Sequence, residues 1–235
     1  MEKKIVINYN DKQTRVALLE DGRAAEIYME RPVQQRMIGN IYKGKVENVL
    51  PGMQAAFVNI GEGKNAFFYV GDVPYTGEEE RKEKKEKKVP IQRRLQVKEE
   101  VLVQVMKESF GNKGARLTGH ITLPGRYLVL MPSLNYVGVS RRIQLSQERE
   151  RLKKEMEALR PPNVGVIVRT AAEGASVACL KKDLKFLLRL WDDIQNLHKK
   201  EKAPALLFRD EALIYRVVRD FFNESVRELI IDHER

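Results

Sequence analysis

The sequence predicts an α+β protein organised around a small OB-type β-barrel, on three grounds. Five or so short strand-like runs separated by Gly turns lie between about Gly39 and Arg116, which is the pattern of a small antiparallel barrel. A β-meander precedes them and stops at Pro32 and a polar segment, as a platform interrupted by an insertion would. Strands and helices then alternate towards the C-terminus, which argues for α+β.

The meander consists of KKIVINYN, TRVALLED and GRAAEIYME, separated by Asn10-Asp11 and Asp21-Gly22. Asp21-Gly22 is a hairpin signal, because both central positions of a type I′ turn need positive φ. The barrel strands are IYKGKVENVL, QAAFVNIG, NAFFYV and EEVLVQVMKES, with Pro51-Gly52 and Gly61-Glu62-Gly63 as turns. Between them Glu78 to Lys88 is an unbroken charged run of six basic and five acidic residues, which reads as a solvated loop or frayed helix. Gly111-Asn112-Lys113-Gly114 is a flexible turn presenting one lysine, and Pro124-Gly125 separates the strands ITL and RYLVLMP. A helix over Ser146 to Arg160 has a Leu152, Met156, Leu159 stripe, Ser146 as candidate cap and Pro161-Pro162 as its stop. NVGVIVRT is a strand, followed by a long helix with Leu180, Leu184, Leu187, Leu188, Trp191 and Ile194 on one face. Thr170 and Ser176 are rival caps for that helix, and its Trp191 reads as core. A helix in DEALIYRVVRDFF and a strand in VRELIID complete the chain.

Strand parity picks out one surface. In QAAFVNI the alternation puts Ala56, Val58 and Ile60 on one face and Phe57 and Asn59 on the other. In AFFYV it groups Ala66, Phe68 and Val70, leaving Phe67 and Tyr69 opposite. Lys43, Lys45 and Lys64 are close in sequence. Rings beside lysines on a small β-surface suit single-stranded nucleic acid, since bases stack on aromatic rings at ~1–3 kcal/mol each and ammonium groups neutralise phosphates. The same parity is satisfied if one ring of each pair fills a second apolar layer. Arg169-Thr170 is a second phosphate candidate, because a strand handing over to a helix exposes N–H groups and a positive dipole end. Arg adds a bidentate fork and Thr a hydroxyl; the alternative is an ion-paired cap. Ser140-Arg141-Arg142 either extends this basic surface or approaches the next helix paired with Glu148 and Glu150.

Composition favours a polyanionic partner: 43 Lys and Arg against 33 Asp and Glu give a net charge of +10. A membrane-surface reading draws on that charge alone. No apolar run reaches the ~18 residues of a membrane span, and the N-terminus lacks a signal-peptide pattern. One cysteine, Cys179, allows neither an intrachain disulfide nor a cysteine-based zinc cluster, and a reducing cytoplasm is the expected compartment. His120, His198 and His233 stand in separate contexts, and no HExxH, GxSxG or P-loop pattern occurs. Asp192, Asp193, Asp210 and Asp232 are the carboxylates available for magnesium, although acidic residues on basic helices usually form surface ion pairs.

Over Asn40 to Val70, GNKGARLTGHITLPGRYLVLMP, SRRI and NVGVIVRTAAEGAS, the chain closely resembles the N-terminal region of the ribonuclease E and ribonuclease G family, collinearly along its whole length. Members of that family are bacterial endoribonucleases that process ribosomal and transfer RNA precursors and initiate messenger RNA decay. The resemblance implies an S1 domain of OB type at 36–117, inserted into an RNase H-like unit at 1–35 and 206–235, with a 5′-sensor subdomain at 118–205. It places an RNA platform at Phe57 and Phe67 with Lys113; Lys43, Arg141 and Arg142 are further candidate RNA contacts from the charge pattern alone. It places a 5′-monophosphate sensor at Gly125, Val129, Arg169 and Thr170. The expected partner is therefore single-stranded RNA with a 5′ monophosphate, with a homo-oligomer for the full-length protein and no membrane association. The family's Mg2+ is held by two aspartates in a DNase I-like centre C-terminal to this region, and a Zn2+ by a cysteine pair further on; neither ligand set is in this chain. The chain alone is accordingly expected not to cut RNA. The alternative is a non-catalytic RNA-binding regulator or assembly factor. Glu78 to Lys88 lengthens the S1-like loop relative to the family pattern.

Overall fold

The computed structural model describes residues 2–31, 36–74, 89–222 and 225–233; the charged run Glu78 to Lys88, and the loop expected there, lie outside them. The chain divides into one unit of Met1–Arg36 with Glu211–Arg235 and another of Met37–Asp210.

The first unit opens with the expected meander, β1 (Lys3–Asn10), β2 (Gln13–Glu20) and β3 (Arg23–Glu30), all antiparallel. Asp21 and Gly22 have φ of 48° and 79°, the two positive values a type I′ turn demands.

In the second unit β4 (Ile41–Leu50), β5 (Ala55–Asn59), β6 (Ala66–Tyr69), β7 (Glu100–Lys107) and β8 (Arg116–Thr118) close into a barrel. The order is β4-β5-β6-β8-β7, with β7 pairing back onto β4. Its filling comes from one parity of each strand, with Val46, Ala56, Val58, Ala66, Phe68, Val103, Val105 and Leu117 all buried. Five strands enclose only enough space for side chains, so the opposite parity must face outwards. β9 (Leu123–Pro124), β10 (Leu128–Met131), β11 (Val137–Val139) and β12 (Gly165–Val168) form a second sheet in the order β11-β12-β10-β9. Helices α1 (Ser146–Leu159) and α2 (Val177–Lys200) cover it, burying Leu152, Met156, Leu180, Leu184, Leu187 and Ile194 with Leu128, Leu130, Val166 and Val168. Trp191 packs partly buried against this cluster.

Three local details differ from expectation or settle it. Ser146 is the first residue inside α1 rather than its cap; Leu145 occupies the cap position without a side-chain bond. Ser176, not Thr170, caps α2, its hydroxyl accepting from the Cys179 N–H at 3.3 Å. A short strand, β13 (Ala205–Phe208), pairs with β4, so these residues extend the barrel's sheet and the division between units falls after Asp210.

The chain then returns to the first unit. α3 (Leu213–Phe221) packs Leu213 and Val217 against Ile5, Ile7 and Val16, and β14 (Val226–Ile231) runs parallel to β1, giving the sheet order β14-β1-β2-β3. Among the described residues no helix is long and apolar enough to cross a membrane.

Candidate nucleic-acid interface

Phe57 and Phe67 stand directly opposite each other in the β5–β6 ladder, on the outward parity. Their centroids are 6.2 Å apart at an interplanar angle of 70°, and both rings are half-buried. The edge-to-face pair forms one wall of an open cleft of about 740 Å³, whose other lining includes Met53, Lys64, Lys113 and Arg116. Each cation is brought there by a backbone constraint. Register places Arg116 of β8 beside Phe67, and Asp72 holds its guanidinium at 2.9 Å. Lys64 Nζ donates to the Gly111 carbonyl at 2.7 Å, tying the Gly111–Gly114 turn to the β5–β6 connection. A Cβ on Gly114 would stand 2.0 Å from the Asn65 carbonyl oxygen, so only glycine lets that turn approach closely enough to bring Lys113 to the rings.

Phe110 and Lys113 exchange both backbone hydrogen bonds, at 3.1 and 3.0 Å, and close this turn as a two-residue hairpin. Phe110 is 87% exposed. Neither Phe110 nor Arg116 was singled out from sequence. The available signals were Phe110's place at the foot of the Gly-Asn-Lys-Gly turn and Arg116's outward parity on the strand after it.

Lys43 is a correction. It is buried, and its ammonium donates to the carbonyls of His198 at 3.0 Å and Glu201 at 2.9 Å while pairing with Glu100 at 2.8 Å. All three of its N–H donors are thereby engaged. The last carbonyls of α2 lack intrahelical partners and carry the negative end of the dipole, so they recruit this cation. It clamps α2 to the barrel instead of meeting RNA. Burial, with Lys43 nearby, pushes the His198 imidazole below its ordinary pKa.

The second candidate gathers Gly125, Arg169 and Thr170. Arg169 directly follows β12, its N–H bonded to the Tyr127 carbonyl and its Nη1 donating to the Gly125 carbonyl at 2.6 Å. Thr170 is exposed, with its hydroxyl 3.1 Å from that of Ser140. Val129 lies half-buried on β10, in register with Pro124 and Ile167. Arg141 and Arg142 are exposed, and the Arg142 N–H turns back to Ser140 Oγ at 3.3 Å. Glu148 pairs with neither: it binds Arg151 at 2.6 Å and the Gly174 N–H at 2.8 Å, and these bonds hold its carboxyl down to about 2.

In the strand-to-helix handover the N–H groups of Ala172, Glu173, Gly174 and Ala175 are already bonded to Arg169, Thr170, Glu148 and Ala172, so these four are not open to an anion. Sequence reasoning also missed Asp183 of α2. Its carboxylate accepts from the backbone N–H groups of Arg126, Tyr127 and Leu128 at 3.3, 2.9 and 3.0 Å and so fixes the turn whose Gly125 carbonyl orients Arg169. A Cβ on Gly125 would stand 2.6 Å from an Asp183 oxygen.

Among the described residues no three His, Cys, Asp or Glu side chains converge as metal ligands. Asp232 accepts instead from the Tyr9 N–H and from Asn8, and the Asp210 N–H donates to Asn40.

A closed five-stranded barrel of this kind, joined to an α+β layer and carrying outward rings with cations beside them, belongs to the OB-type class that includes S1 domains. By sequence the chain is similar to members of the ribonuclease E/G family along almost its whole length. The sequence model of the Ribonuclease E/G family matches residues 122–235. Ribonuclease G of Escherichia coli K12 is 42% identical over 234 residues, 99% of this chain and 48% of that protein. Ribonuclease G of Haemophilus influenzae is 41% identical over 97% of this chain and 47% of its own length. Ribonuclease E of Nostoc sp. is 41% identical over 93% of this chain and 32% of its own length. The chain thus spans about half the length, or less, of these curated relatives.

Proposed function

We propose that this chain is the RNA-capturing and 5′-end-reading portion of an endoribonuclease of the E/G type. The observation that carries the reading is the convergence of Phe57, Phe67, Lys64, Lys113 and Arg116 on one cleft. Bases of a single strand stack on the paired rings while the cations meet successive phosphates. Arg169, oriented by the Gly125 carbonyl, offers its fork to a terminal 5′ monophosphate, and the Thr170 hydroxyl adds a hydrogen bond. Cleavage by such an enzyme draws on magnesium; the role we assign to the residues of this chain is capture and recognition of the RNA.

Equilibrium binding of one short RNA with either a 5′ monophosphate or a 5′ hydroxyl tests both parts. Phe57→Ala is expected to weaken both RNAs alike by ~1–3 kcal/mol. Arg169→Ala is expected to erase the preference for the monophosphate while leaving hydroxyl-ended RNA unchanged. An unaltered preference in Arg169→Ala removes the sensor assignment. An unaltered affinity in Phe57→Ala removes the stacking platform.

A further inference from the structure

The outward face of α2 next to Asp183 has no role in either candidate site. Asp183 and Phe186 are three residues apart and therefore neighbours on the helix surface, and Lys182, Phe186 and Arg189 follow the i, i+4, i+7 spacing of one stripe, with Lys185 beside it. Phe186 is 57% exposed, and Lys182, Lys185 and Arg189 are exposed as well. None of these three cations has an ion-pair partner among the described residues, whereas Arg151 of α1 and Lys43 of β4, which meets the end of α2, are paired. An exposed ring framed by unpaired cations is complementary to a base with its flanking phosphates.

Its position gives the stripe a register. Asp183 reaches the backbone of Arg126, Tyr127 and Leu128, and the same turn's Gly125 carbonyl holds Arg169. Phe186 is thus one helical step from the group that contacts the Arg169 turn. We propose that this stripe of α2 is an RNA-binding subsite: the nucleotides following a bound 5′ monophosphate run along the helix, one base stacking on Phe186 and phosphates meeting Lys182, Lys185 and Arg189. The placement of the 5′ end rests on the reading of Arg169 and Thr170 given above.

The experiment uses the 235-residue chain, a 12-nucleotide single-stranded RNA with 5′ monophosphate or 5′ hydroxyl, and a monophosphorylated dinucleotide. The triple variant K182A/K185A/R189A is expected to lower the slope of log affinity against log salt for the 12-mer by about 2, at ~0.7 per phosphate contact. Phe186→Ala should weaken the 12-mer about 5- to 150-fold, from the ~1–3 kcal/mol of a stacked base, and Phe186→Tyr should restore it. Alanine is the best helix former, so these exposed substitutions keep α2 folded, which its circular-dichroism melt verifies. Neither variant should change dinucleotide binding, which reads the phosphate pocket alone. Wild-type 12-mer affinity and salt slope in the triple variant overturn the subsite even if Arg169→Ala erases the 5′ preference. The converse result, a weakened 12-mer with no 5′ preference to erase, keeps the subsite's RNA contact and overturns its register and the sensor reading. Loss of a dimer in Phe186→Ala, seen by sedimentation with RNA affinity unchanged, assigns the face to a second copy of the chain and overturns the proposal.

Discussion

Asp183 shows how one side chain can govern a site it does not line. Its carboxylate takes three successive backbone N–H groups, and removing it leaves those donors without a partner in a half-buried turn. Leaving such a group unsatisfied costs about 1–3 kcal/mol, so Asp183→Ala should lower the unfolding free energy by at least that much in urea titration. The Gly125 carbonyl should then lose its fixed place, and discrimination between 5′ monophosphate and 5′ hydroxyl should narrow. Asp183→Asn keeps one acceptor oxygen and should retain part of both. Lys43 makes the opposite case, a cation that neutral reasoning assigns to RNA and the fold uses internally. Lys43→Met should destabilise by about 1–3 kcal/mol through the stranded carbonyls of α2 while leaving the salt slope of RNA binding unchanged. A reduced slope with full stability would return Lys43 to the RNA surface.

At the level of elements, α1 is fastened to the connection before α2 by Glu148, which bonds both Arg151 and the Gly174 N–H. Because its folded pKa is depressed to about 2, Glu148 contributes stability that is fully present above its unfolded value of about 4.3 and is lost as pH falls through about 2. Glu148→Gln should therefore melt lower than the parent at pH 7, with the gap closing between about pH 4 and 2; a constant gap across that range would place the effect in packing instead. The elements differed in how far sequence revealed them. The Phe57–Phe67 pair was legible because a period of two fixes a side chain's face within a single strand, and Ala56, Val58, Ala66 and Phe68 are indeed the buried partners. The Asp21-Gly22 hairpin and the Leu152, Met156 stripe were legible for the same local reason. β11 was not, since three residues around Gly138 show no alternation to read. Lys43 escaped because what covers it, the end of α2, is 155 residues away in sequence. Asp183 escaped because its partners are backbone groups, which leave no trace in side-chain pattern.

On the scale of the whole molecule, the two units are unequal in ways that predict how the chain unfolds. The Met1–Arg36 and Glu211–Arg235 unit rests on a core of Ile5, Ile7, Val16, Leu213 and Val217, and leaves Ile27 at 70%, Met29 at 55% and Ile231 at 47% exposure. Regions with few buried apolar contacts open at lower free energy, so amides of β1 to β3 should exchange faster than those of β4, β5 and β10. The Met37–Asp210 unit has two large clusters of its own and begins and ends in one place. The Asp210 N–H donates to Asn40 at 2.9 Å, and a Cβ on Gly39 would meet the Asp210 carboxylate at 2.7 Å. A segment whose ends meet, with a self-contained core, behaves as an inserted domain and tolerates excision. Residues 37–210 expressed alone should therefore unfold in cooperative transitions and bind single-stranded RNA with the affinity, salt slope and 5′ preference of the whole chain, because Phe57, Phe67, Lys113, Arg169 and Thr170 all lie within them. A folded excised unit with weakened binding would show that groups outside 37–210 complete the RNA site, and would move part of the recognition into the smaller unit.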